Sequence, residues 1–182
     1  TARRSMNLLT IEWQNRGINM WTIEEGTVNL VAGTATYGLP ADTIDLLEHV
    51  VRTGDGSVTT QSDLNITRIS VSTYSSIPNK LSQGRPIQIY VDRGQANPSV
   101  TVWPVPDQGT ALAPFYVLKY WRMRRIQDSG TGVNTADVNF RFLPCLVAGL
   151  AYYIAQKDPE LMPRLPMLQA EYERQFELAA GE

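Results

Sequence analysis

The residue types that most often carry catalysis or bind metals are scarce in this chain, which has 182 residues but one histidine and one cysteine. Zinc and copper sites draw on clusters of His, Cys and carboxylates, so the composition excludes the usual sites of this kind. Cys145 stands in an apolar run with helical spacing, which favours a small buried side chain over a reactive thiol. His49 stands in a β-like run, which favours a surface or hydrogen-bonded side chain over a general base.

The carboxylates do not form a recognisable catalytic or calcium-binding motif. Asp42, Asp45 and Glu48 are the densest acidic group, but their spacing is not that of an EF-hand loop, and a solvated face accounts for them. Glu24 and Glu25 are adjacent in a predicted strand and would point to opposite faces. A carboxylate pair brought together only by the fold, as in glycosidases, stays open. We therefore expect no catalytic residue, no cofactor and no metal.

One basic and aromatic segment, residues 119–125, has the composition of a contact surface. Basic residues between aromatic ones can follow a nucleic-acid strand. They also occur on a solvated or edge strand, where charge prevents wrong pairing, and in subunit interfaces, which are enriched in Arg, Tyr and Trp. All three interpretations stay open. With two aromatic residues of the last helix, the candidate interface residues are Lys119, Trp121, Arg122, Arg124, Arg125, Tyr172 and Phe176.

Composition limits the remaining classes of function. The net charge of −2 argues against a dedicated nucleic-acid binder, whose affinity comes from Lys and Arg meeting phosphates. The longest apolar stretch, residues 143–154, is shorter than the ~20 residues that span a bilayer, so we expect no membrane partner. A hydrophobic content of 43% is enough for one ordinary core, or for a main core with a small satellite.

The spacing of apolar residues predicts helices at both ends of the chain. Residues 2–16 place apolar side chains on one helical face, and Gly17 stands where a left-handed cap is expected. Residues 142–154 and the segment from Leu165 onward have helical spacing too, separated by Asp158-Pro159.

Between the helices, turn residues separate short β-like runs, with breaks predicted at Gly26 and Gly33. We predict an α+β fold: a helical bundle of residues 1–19 and 138–182, with residues 20–137 inserted as an antiparallel sandwich or small barrel. Residues 127–139 are expected to form a long polar loop. The β-like runs are residues 21–37, 44–52, 64–71, 86–91, 99–103 and 115–126.

Several segments resemble the tail tubular protein A family, the head-to-tail adaptors or gatekeepers of short-tailed bacteriophages. The first helix leads through Asn15-Arg16-Gly17 into Trp21-Thr22-Ile23-Glu24-Glu25-Gly26, which is similar to the opening of that family, including its Ile-Glu-Glu-Gly turn. Further segments typical of phage structural proteins are Gly84-Arg85-Pro86, Tyr90-Val91-Asp92-Arg93, Val102-Trp103-Pro104-Val105-Pro106-Asp107, Arg141-Phe142-Leu143-Pro144 and Glu171-Tyr172-Glu173.

The resemblance implies a structural virion protein of the phage neck that is made in the host cytoplasm. Such adaptors form a homo-oligomeric ring, typically of twelve subunits, between the portal protein and the tail nozzle protein. DNA passes through the lumen during ejection without sequence-specific binding. Two other classes stay open: a receptor- or carbohydrate-binding module of the tail that uses Trp103 and Trp121 as stacking platforms, and a wall-degrading virion enzyme with a carboxylate pair.

Overall fold

The chain divides into two compact units in the computed structural model, which describes residues 2–94, 96–127 and 135–181. Thr1–Thr22 and Arg125–Glu182 form the helical unit, and Ile23–Arg124 form the β unit. The predicted α+β class is confirmed. The domain boundaries at residues 19/20 and 137/138 stay a prediction, because compactness does not test which segments fold together.

The first helix, α1, spans Ala2–Asn15 and ends just before the capping glycine that the sequence predicts. Gly17 follows this helix in the left-handed conformation, with a φ of 83°, and the Ile18 amide donates to the Trp13 carbonyl at 3.0 Å. Short 3-10 segments, Phe140–Phe142 and Pro159–Arg164, lead into α3 and α4. The α-helices of the described residues are α1 (Ala2–Asn15), α2 (Val71–Ser75), α3 (Leu143–Ala155) and α4 (Leu165–Ala180).

The core of the helical unit forms where α1 and α4 both meet α3. Leu9 and Trp13 of α1 are fully buried with Phe142. A Cβ atom added at Gly149 would lie 2.8 Å from a Leu9 methyl and 2.9 Å from the Tyr172 ring. Gly149 therefore allows α1 and α4 to approach the same turn of α3 more closely than any side chain would.

The β unit contains two four-stranded sheets rather than a closed barrel. One sheet has the strand order β1-β8-β3-β4, and the other has the order β2-β7-β6-β5. Among the named strands of the described residues, β5 and β6 pair in parallel and the other pairs are antiparallel. The strands are β1 (Ile23–Leu30), β2 (Thr36–Gly38), β3 (Thr43–Thr53), β4 (Ser62–Asn65), β5 (Thr67–Ile69), β6 (Gln88–Asp92), β7 (Ser99–Trp103) and β8 (Tyr116–Arg124).

The two sheets share one hydrophobic core, which makes the β unit a sandwich. Leu30, Val51 and Leu118 of the first sheet belong to the same buried cluster as Ile89 and Val100 of the second, and all five are fully buried. Along the strands, alternate residues point to this core and to the outside. β3 is irregular, because its register with β8 shifts between Thr43 and Asp45 and between Leu46 and Glu48. The sandwich expected from the sequence is therefore the correct alternative.

Two predictions about the strands are wrong. The break at Gly26 does not exist, because β1 continues through Gly26 and the Ile-Glu-Glu-Gly segment is extended; only Gly33, with a φ of 79°, stands in a turn. The run of residues 64–71 is not one strand: residues 64–65 end β4, β5 begins at Thr67 in the other sheet, and α2 begins at Val71. The chain crosses between the sheets at Ile66, whose side chain belongs to the shared core. Of the polar loop expected at 127–139, residues 128–134 lie outside the described residues.

Candidate subunit interface

The basic and aromatic segment lies in and just beyond β8, and strand alternation divides its side chains between two faces. Tyr120 points into the sandwich core, so Arg122 and Arg124 extend the same inner face beyond the apolar residues. Lys119 and Trp121 are on the outer face. The segment is therefore not one continuous basic surface.

The inner arginines are neutralised within the β unit. Arg122 donates to Asp42 at 2.6 Å and to Glu24 at 2.9 Å, and Arg124 donates to Glu24 at 2.5 Å. Both arginines are 8% exposed. Although burial disfavours its charge, the carboxylates of Asp42 and Glu24 raise the pKa of Arg122. This network covers one end of the sandwich core. Because it contains two arginines and two carboxylates, it is not a basic surface.

The outer face around Trp121 has a different character. Trp121 is 38% exposed, and its cross-strand neighbours are Glu25 of β1 on one side and Glu48 of β3 on the other. Both carboxylates are exposed. Lys119 lies two residues away on the same face, and its Nζ atom is 3.9 Å from Oδ1 of Asp55. Trp121 is thus the exposed residue that this segment presents on the outer face of the β unit, beside the less exposed Lys119 and Met123.

The other candidate interface residues lie in the helical unit. Tyr172 is 1% exposed, and its hydroxyl accepts the indole N–H of Trp13 at 3.1 Å. Phe176 packs against the same core, and the Arg16 guanidinium lies 4.5 Å from its ring centroid. Arg16 also makes two hydrogen bonds to Glu173, both of 2.8 Å. Arg125 is exposed. In the isolated chain, Tyr172 and Phe176 therefore hold α1 against α4.

A surface that the residue list did not include is the outer face of α3. This helix has no charged residue in its whole length. Its Cys145 and Gly149 side is buried, but Leu143 is 41% exposed and Val147 is 69% exposed. A helix that is apolar all round is normally buried on all sides. The signal that the sequence offers for this surface is the apolar, uncharged run of residues 143–154. The apolar face of α3 comprises Leu143, Val147, Leu150, Ala151 and Ile154.

The residues with catalytic potential are in environments that suit packing. Burial raises the pKa of the Cys145 thiol to about 12 and lowers the pKa of His49 below its ordinary value. No group of three or more His, Cys, Asp or Glu residues able to hold a metal ion occurs among the described residues. Within the same part of the chain, no helix has both the length and the apolar character of a membrane span.

Comparison with family models places the chain among the structural adaptor proteins of bacteriophages. The chain belongs to the SU10 adaptor protein family, whose model matches residues 2–182. This is a family of structural phage proteins rather than of enzymes. A search of curated proteins found no match. The adaptor class expected from the resemblance is confirmed.

Proposed function

We propose that the protein is the ring-forming subunit of a head-to-tail adaptor of the kind found in short-tailed phages. Copies of the chain associate side by side, and twelve is the expected number. The ring joins the portal protein to the tail nozzle protein in the neck of the virion. Packaged DNA passes through its lumen without sequence-specific contacts, which agrees with a mildly acidic chain whose inner arginines are already paired.

The observation that carries this proposal is the apolar face of α3. Val147 is 69% exposed on a helix that lacks any charged side chain, and Leu150 and Ala151 continue the same stripe one turn later. Burying such a stripe against a neighbouring copy removes apolar surface from water, which is the main driving force of association. Membership of an adaptor family supports a protein partner as the occupant.

A head-to-tail ring also requires two different side surfaces on each subunit, because a self-complementary contact closes a dimer instead. The chain provides chemically different surfaces. The apolar face of α3 is uncharged, whereas the outer face of the first sheet combines Trp121 with Glu25 and Glu48. This difference supports heterologous association.

The test is the oligomeric state of a Val147→Glu variant. We expect wild-type protein to form rings, seen by electron microscopy and mass photometry, either alone or when mixed with the portal protein of the same phage. Val147→Glu should remain monomeric in both conditions because a carboxylate would be buried without a partner. Its circular dichroism and melting temperature should stay close to wild type, since residue 147 is exposed in the single chain.

Leu112→Glu is the matched control. Leu112 is 99% exposed in a loop of the β unit, so the same change in charge and size occurs away from α3. This variant should assemble like wild type. Assembly of Val147→Glu at wild-type levels would contradict the role of α3. If the wild-type protein neither self-associates nor binds the portal protein, the adaptor proposal is wrong. A monomer in the absence of the portal agrees with the proposal if docking closes the ring.

A further inference from the structure

The patch around Trp121 contains two exposed carboxylates. Glu25 and Glu48 stand directly opposite Trp121 from its two neighbouring strands. Side chains opposite each other on one face have Cβ atoms about 5 Å apart, so the indole lies between two negative charges. Neither carboxylate makes a hydrogen bond or an ion pair with the described residues, in contrast to Glu24, which binds both inner arginines.

Within the described part of the chain, the cations of this sheet are paired with other carboxylates. Arg122 and Arg124 point to the opposite face, where Glu24 and Asp42 neutralise them, and Lys119 is drawn to Asp55. An indole between two carboxylates is chemically suited to an arginine from another molecule. A guanidinium can stack on the indole and pair with a carboxylate at the same time.

The patch also has an apolar part that a partner must match. Ile23 is 45% exposed and stands opposite Met123, one pair along the outer face from Trp121. A suitable partner therefore presents an arginine together with aliphatic side chains on one rigid surface. Arginine with apolar neighbours is a combination enriched at the centre of protein interfaces.

Helix α1 of this chain presents such a surface. Its inner side is held in the helical core by Leu9 and Trp13, so the opposite side faces outward. Arg4 on that side is exposed and makes no ion pair with the described residues, and Leu8 and Ile11, four and seven residues later, are 42% and 52% exposed. Positions four and seven residues apart share one helical face, so the three side chains form a single stripe.

We propose that the α1 stripe of one copy, Arg4, Leu8 and Ile11, docks on the Trp121 patch of the next copy, with Arg4 between Glu25 and Glu48. The occupant is a second copy of this chain, and charge complementarity selects it: unpaired carboxylates on one surface meet an unpaired arginine on the other. The contact is heterologous, because the two surfaces lie on different units of the chain. This inference rests on the proposed side-by-side assembly and names a pair of surfaces within it.

Charge reversal tests the pairing. Arg4→Glu should weaken assembly by about tenfold, since each loss of about 1.4 kcal/mol reduces an association constant tenfold. The double variant Glu25→Arg with Glu48→Arg should weaken it similarly. Combining all three substitutions in one chain should restore assembly, because every contact then has its charges exchanged. Arg164→Glu, which reverses another exposed arginine of the helical unit, is the matched control and should assemble like wild type.

A disulfide assay measures the same contact without relying on charge. Copies carrying Leu8→Cys are mixed with copies carrying Ile23→Cys and oxidised, and a cross-linked dimer is expected. Mixing Leu8→Cys with Leu112→Cys copies should give none. The background is low because Cys145 is the one cysteine of the chain and is fully buried.

The outcomes separate this inference from the proposed function. If wild-type copies assemble but the triple substitution fails to restore assembly and no cross-link forms, the inference is wrong and the adaptor proposal stands. The inference is also wrong if Arg164→Glu weakens assembly and Arg4→Glu does not. If wild-type copies never associate, with or without the portal, the proposed function fails first.

Discussion

Tyr120 of β8 stands directly opposite Gly26 of β1, and its ring occupies the space that a side chain at Gly26 would need. A Cβ atom added at Gly26 would lie 2.5 Å from Cε2 and 2.6 Å from the hydroxyl oxygen of Tyr120. Such distances are far below van der Waals contact. Because Tyr120 is 3% exposed, the ring has little room to move away.

We therefore expect Gly26→Ala to lower the free energy of unfolding by about 1–3 kcal/mol, as overpacked cores usually do. Urea denaturation followed by circular dichroism measures the change. Gly38→Ala is the matched control, because Gly38 also lies in a strand but has open space around its Cα. In a Tyr120→Leu background the cost of Gly26→Ala should shrink, and an unchanged cost would contradict the assigned clash.

Gly26 also shows where sequence patterns reach their limit. A glycine indicates a turn when its backbone needs a positive φ, as at Gly33, but a glycine can also make room for a neighbouring side chain, as Gly26 does for Tyr120. The role of Gly26 depends on Tyr120, nearly the whole β unit away in sequence, so no local pattern contains it. The three long helices, α1, α3 and α4, and most strands are predictable because apolar periodicity is local, whereas α2 has only five residues and shows no such period. The separation of Arg122 from Trp121 follows from alternation, but which of them faces the core depends on strand pairing.

Trp13 and Tyr172 connect the first and last helices through a buried hydrogen bond of 3.1 Å. Tyr172→Phe keeps the packing but leaves the indole N–H of Trp13 buried without an acceptor. A buried unsatisfied donor costs about 1–3 kcal/mol, and we expect the free energy of unfolding to fall by that amount. Chemical denaturation followed by tryptophan fluorescence provides the measurement. Tyr152→Phe is the control, since the Tyr152 ring packs beside Tyr172 without donating to a described residue; equal losses in both variants would count against this role.

Asp42 makes the stability of the β unit dependent on acid. Burial acts to raise the pKa of Asp42, but the hydrogen bond and charge of Arg122 outweigh it and hold the pKa below its ordinary value of 3.8. A carboxyl whose pKa is lower in the folded state stabilises the fold above its unfolded pKa, and that contribution is lost as the pH falls through the folded pKa. We expect Asp42→Asn to be less stable than wild type at pH 7.

The difference between wild type and Asp42→Asn should narrow as the pH drops below about 4, because protonated Asp42 no longer pairs with Arg122. Thermal melts across this range measure it. Asp92→Asn is a suitable comparison, because Asp92 is exposed at the end of β6 and makes no ion pair with the described residues. If the stability difference between wild type and Asp42→Asn stays constant from pH 7 to below pH 4, the Asp42–Arg122 contact does not cause the loss of stability at low pH.

Cys145 tests how tightly α1 and α4 close over α3. Its thiol is fully buried, and burial raises its pKa to about 12, so the reactive thiolate is scarce at pH 8. We expect a thiol reagent such as Ellman's reagent to leave the folded protein unlabelled and to react fully in denaturing urea. A Leu112→Cys variant supplies an exposed thiol in the same chain and should react at once. Labelling of Cys145 in the folded protein as fast as that of residue 112 would mean that α3 is exposed on its inner side too, and the distinction between its packed and outward faces would be lost.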